Sequence, residues 1–139
     1  MQKNKLRSGL IIAVAMVLSS PVVAADAPQK LQGDHVTGYL SGNTVYVDVV
    51  PGKPFGDGGV TPFFYGKDGT FAAALVPHAL AGTWEVSDSA SYCINIPDIG
   101  KTFCTDIYKT EDGIEHHSVG LETLIGTVQK IIPGNDAGL

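Results

Sequence analysis

Ser91-Tyr-Cys-Ile-Asn-Ile96 and Lys101-Thr-Phe-Cys-Thr-Asp-Ile-Tyr108 flank the four residues Pro97-Asp-Ile-Gly100. Both flanks are rich in aromatic and β-branched residues, and the Pro and Gly between them are turn formers, so the stretch reads as a β-hairpin. Folding it about the point between Asp98 and Ile99 sets Cys93 directly across from Cys104. Opposed residues of an antiparallel pair hold their Cβ atoms about 4.5–5.5 Å apart, close to what a disulfide spans. These are the only two cysteines of the 139-residue chain. An even pair in an exported chain reads as a structural bond. A redox-active pair would call for Cys-x-x-Cys spacing and neighbouring cations, and only Lys101 lies close in sequence.

Outward from the hairpin the same pattern repeats. Upstream, Thr83-Trp-Glu-Val-Ser87 alternates and leads into the turn Asp88-Ser-Ala-Ser91. Thr61-Pro-Phe-Phe-Tyr65 and Thr70-Phe-Ala-Ala-Ala-Leu-Val76 flank the turn Gly66-Lys-Asp-Gly69, and Thr44-Val-Tyr-Val-Asp-Val-Val50 puts Val45, Val47 and Val49 on one face. Downstream, the turn Thr110-Glu-Asp-Gly113 introduces Ile114-Glu-His-His-Ser-Val119, and Thr123 to Ile132 forms a last, long strand. About eight short strands joined mostly by tight polar turns predict an all-β chain. The expected architecture is an antiparallel meander closing into a small barrel or a curled sheet. One helical signal precedes it: Val36, Tyr39 and Leu40 fall at i, i+3 and i+4, with Asp34 as N-cap and Gly42 after the end. Asp26 to Leu31 reads as a polar leader, and the glycine-rich Pro51 to Val60 as a long loop.

The first 25 residues have the form of an export signal. Lys3, Lys5 and Arg7 precede the apolar run Leu10 to Leu18; Ser19-Ser20-Pro21 breaks it, and Val23-Ala24-Ala25 or Val22-Val23-Ala24 fits a peptidase site. The run is too short to cross a bilayer, which takes roughly 20 residues. The expected organisation is therefore a cleaved signal, 1–25, and one disulfide-tied β-domain, 26–139, working in the periplasm or outside the cell without stable membrane insertion. Residues 26–139 carry six Lys, no Arg and 14 acids, a net charge of −8. Without clustered cations such a domain is a poor partner for nucleic acid.

Catalytic and metal signatures are sparse. His116 and His117 are adjacent in a predicted strand and so point to opposite faces, while His35 and His78 lie far away in sequence. No Gly-x-Ser-x-Gly elbow accompanies the serines, and the acids Glu85, Asp88, Asp106, Glu115 and Glu122 read as a solvated face. No calcium-loop spacing surrounds Asp57 or Asp112. No cofactor is expected. Large aromatics stand out instead: Phe55 in the glycine-rich loop, Phe64 in the run Phe63-Phe64-Tyr65, and Trp84. These three are the candidate ligand-side residues, with strand alternation sending Phe63 and Tyr65 to one side and Phe64 to the other.

Leu40-Ser-Gly-Asn-Thr-Val45, Phe64-Tyr-Gly-Lys-Asp-Gly69, Gly82-Thr-Trp-Glu-Val86, the Cys93/Cys104 pair and Ile132-Pro-Gly-Asn135 together resemble a family of small exported proteobacterial β-domains of unknown function. That resemblance implies a periplasmic or secreted β-domain with one disulfide and supplies no active site. Leu80-Ala-Gly-Thr-Trp-Glu-Val86 followed by Cys93 also resembles the opening strand of calycin-type barrels, the lipocalins and periplasmic protease inhibitors. It lies mid-chain here rather than first. The expected function is non-catalytic binding of a protein partner or a small apolar molecule. Alternatives are a calycin-like protease inhibitor, and a small metal protein or enzyme using His116 or His117.

Overall fold

A computed structural model describes residues 16, 18–22, 25–52, 56–75 and 78–139. Most of the expected export signal, Phe55 and the predicted strand end at Val76 lie outside the described residues. The fold is an antiparallel, closed eight-stranded barrel with one short helix. In chain order the elements are β1 (Gln29–Lys30), α1 (Gly33–Leu40), β2 (Asn43–Val49), β3 (Gly59–Tyr65) and β4 (Thr70–Ala73). They continue with β5 (Leu80–Val86), β6 (Tyr92–Ile96), β7 (Lys101–Thr110), β8 (Gly113–Ser118) and β9 (Leu124–Pro133). Strands β2 to β9 pair in sequence order, and β9 returns to β2 from Asn43↔Pro133 to Val49↔Gly126, so the wall has no free edge. Closure removes the unpaired donors and acceptors that make an open sheet sticky.

The alternation read from the sequence decides what lies inside. Val45, Val47 and Val49 from β2, Phe63 and Tyr65 from β3, Phe71 and Ala73 from β4, and Ile94 and Ile96 from β6 form one buried cluster. Each such large side chain, buried, contributes roughly 1.5–3 kcal/mol. Helix α1 plugs one end: Val36 and Leu40 are completely buried on the face turned to the barrel. Gly42, at φ +77°, then turns the chain into β2 and donates its N–H to the Tyr65 carbonyl.

The disulfide hairpin forms in the predicted register: Cys93 pairs with Cys104, Cα to Cα 4.1 Å, and the two are disulfide-bonded. Four local expectations are corrected. The helix starts two residues earlier than expected, with Gln32 at the N-cap and no side-chain cap bond, and Asp34 accepts the His35 N–H inside the first turn. Strand β5 begins at Leu80 rather than Thr83, because Leu80 to Thr83 complete the ladder with β4. Strand β3 begins at Gly59, paired with Val49, which shortens the loop after Pro51. The polar leader is not free: Gln29 and Lys30 pair with Lys109 and Tyr108 of β7, beyond the end of the shorter β6. Its side chains show no alternation over two residues, so nothing in the sequence marks it.

Candidate functional site

The two ends of the barrel differ. At the helix end the interior is filled and partly polar. Tyr65 donates a hydrogen bond to the Tyr92 hydroxyl (3.3 Å), and Tyr92 shares a 2.8 Å hydrogen bond with His116 Nδ1. Tyr39 of α1 leans over the same histidine ring, centroids 6.2 Å apart. Burial holds His116 neutral, lowering its pKa to about 3, and His117 adds to the shift. Burial likewise pushes the Tyr92 phenol up to about 12 and raises Tyr39 and Tyr65. Among the described residues the Tyr39 hydroxyl and His116 Nε2 are buried without a hydrogen-bond partner.

At the opposite end the described residues leave part of the interior open. A cavity of about 840 Å³ is walled by Phe63, Phe71, Leu80, Ile94, Ile96 and Phe103, all from inward strand positions. Ligand-sized pockets run from roughly 300 to 1,000 Å³ and are apolar with a few placed polar groups. Here the polar groups are hydroxyls. Thr105 and Ser118 are direct cross-strand partners on β7 and β8, both line the cavity, and Thr123 lies beside them. His78 and Asp98 stand at the exposed rim.

The turns and strand ends at this side of the barrel carry exposed aliphatic side chains: Val50, Val60, Ile99, Val119, Leu121 and Leu124. Leu121 sits at φ +62°, a left-handed conformation that costs an ordinary residue about 1–2 kcal/mol. The turn holding it is tied down from two sides. Ser118 and Thr123 exchange hydrogen bonds, and Gly120 N–H donates to Asp106 Oδ2 at 3.0 Å. Asp106 is buried on the outer wall, which alone would raise its carboxyl. Hydrogen bonds from Ser91, Gly120 and Lys30 more than offset that and hold it below the usual carboxylate range. Lys30 reaches Asp106 at 3.0 Å, so one carboxylate clamps β1 and the mouth turn to the wall.

The aromatic residues singled out from sequence do not converge. Phe55 lies outside the described residues. Phe64 faces outward from β3, in register with Thr44 and Ala72, and does not line the cavity; its neighbour Phe63 does. Trp84 points inward but toward the helix end, edge-on to Tyr65 at 5.5 Å, with its indole N–H donating to the Gly66 carbonyl at 2.9 Å. His116 and His117 point to opposite faces: His116 into the barrel, His117 outward against Tyr108 and, at 2.7 Å, Glu115. Among the described residues no group of three or more His, Cys, Asp or Glu is arranged to hold a metal ion. The wall residues that sequence reasoning passed over share one signal, the even alternation of the strands. That signal marks them as inward without saying whether the space they face is full.

The chain matches no protein-family model, no curated protein and, by fold, no solved structure.

Proposed function

We propose that this protein is a non-catalytic binding domain, exported to the periplasm or beyond, that takes a small apolar molecule into the open end of its barrel. The observation that carries the reading is the 840 Å³ apolar cavity at one end of a barrel whose other end is plugged. The aliphatic rim supports it: a molecule poorly soluble in water meets apolar surface before it reaches the interior. The disulfide fits a chain that works in an oxidising compartment, and the signal-like first 25 residues supply the route. Of the two occupants expected from sequence, a small molecule suits a concave cavity better than a protein surface does.

Native mass spectrometry of the protein purified gently from its own host tests both parts. The expected spectrum shows a chain shortened by 24 or 25 residues, with the two-hydrogen loss of the disulfide and a co-purifying small mass. An intact N-terminus would refute export by this signal. A bare protein that also fails to take up any apolar molecule added afterwards would refute the binding reading.

A further inference from the structure

The cavity wall also sets the chemical class of the occupant, an inference that rests on the reading of the cavity as a ligand site. Thr105 and Ser118 face each other across the β7–β8 ladder and open onto the cavity. Ser118 Oγ already accepts the Thr123 N–H at 2.9 Å, which leaves its own proton to donate. Thr105 is 3% exposed and lies directly across from Tyr92 of β6, whose phenol is held in turn by Tyr65 and His116. Hydrocarbon side chains make up much of the remaining wall: Phe63 and Phe71 from β3 and β4, and Ile94 and Ile96 from β6 beside β7.

Charge is distributed differently. Among the described residues that line the cavity the ionisable side chains are His78 and Asp98, both exposed at the rim. An ionised ligand group drawn to the hydroxyl pair would leave water without a counter-charge, a cost far larger than two neutral hydrogen bonds return. A pure hydrocarbon would forgo those bonds.

We propose that the cavity selects uncharged molecules bearing one hydrogen-bonding oxygen, an alcohol, ketone or ester carbonyl, seated between Thr105 and Ser118 with the hydrocarbon part against the phenylalanine and isoleucine wall. The test is displacement of the neutral dye Nile red by 1-decanol, decane and decanoate at pH 8. Decanol should displace the dye at a concentration about ten-fold below that of decane, the worth of one or two neutral hydrogen bonds, and further still below decanoate. In Thr105→Val and Ser118→Ala the ratio of the decane to the decanol displacement concentration, each corrected for that variant's own dye affinity, should shrink several-fold, and Thr105→Ser should retain it. Equal displacement by decanol and decane, or tighter binding of decanoate, would overturn the selection while leaving the cavity as a binding site. Failure of the wild-type protein to bind Nile red or any of the three probes would overturn both.

Discussion

At the scale of the residue, His116 is a group whose titration the fold moves away from neutral pH. Its side chain is enclosed by Tyr39 and Tyr92, and burial lowers its pKa from 6.5 to about 3. The unfolded chain takes up a proton at this histidine below about pH 6.5, and the folded one does not. Stability from this site is therefore complete above pH 6.5 and falls as the pH drops toward 3. Asp106, whose carboxyl is lowered from 3.8, acts in the same direction but only below about pH 4. Urea midpoints measured from pH 7 to 4.5 should fall in the wild-type protein, and His116→Phe should flatten that fall. An unchanged slope in the variant would place the titration elsewhere.

Gly82 is a second such residue. A Cβ there would lie 1.9 Å from the Asn95 carbonyl oxygen, so β5 and β6 could pair this closely only at glycine. Gly82→Ala should cost about 1–3 kcal/mol by urea unfolding, the range for a forced backbone shift. In the sequence Gly82 stands only within the calycin-like run Leu80 to Val86, and nothing in that run says which strand passes close to it. Sequence alone does not place Trp84: an indole on an inward strand position serves a ligand or the core equally well, and here it packs edge-on to Tyr65 and donates to the Gly66 carbonyl.

At the scale of the element, the disulfide hairpin was the most legible part of the chain, because a four-residue turn and two matched flanks leave one register. The bond closes a loop of 11 residues' separation. On the chain-entropy model that contributes about 3 kcal/mol. The double variant Cys93→Ser/Cys104→Ser should lose that amount in denaturant titration while keeping its β-type circular dichroism. The clamp on β1 was illegible, since it depends on β6 being shorter than β7 and on Asp106 gathering Ser91, Gly120 and Lys30 from three separate segments. Asp106→Asn removes the charge that holds all three and should cost about 2 kcal/mol, the range for hydrogen bonds to a charged group. Amide exchange should then accelerate both at Leu31, which donates to the Ile107 carbonyl, and in the turn around Gly120. Acceleration in only one of these segments would show that the carboxylate does not couple them.

At the scale of the whole molecule, strand count and alternation foretold a barrel or a curled sheet without choosing between them. Closure depends on β9 meeting β2, a pairing across roughly 90 residues that includes a register shift between Tyr46 and Val47. Gly126 sits against the Asp48 carbonyl with no room for a Cβ, which lets the two strands close. Whether the closed barrel is full or hollow is likewise invisible in a list of inward residues. It follows from where α1 plugs and where the side chains run out. The helix end is packed with Tyr39, Tyr65, Tyr92 and His116, and the mouth end is lined by hydrocarbon side chains together with the hydroxyl residues Thr105, Ser118 and Thr123. A bound ligand would stabilise the fold by mass action, by about 2.7 kcal/mol at a hundred times its dissociation constant.

That cavity is the centre of the functional reading, and filling it is the most direct way to test it. Leu80 lines the cavity at the mouth end of β5 and is half-buried, so Leu80→Trp places an indole in the open space with little strain on the packed end. Nile red titrated into the wild-type protein should shift to the blue and saturate at one dye per chain. In Leu80→Trp, with its unfolding transition checked to be cooperative, the shift should be lost or weakened at least ten-fold. Equal binding by the two proteins would place the dye on the outer surface and contradict an interior ligand site.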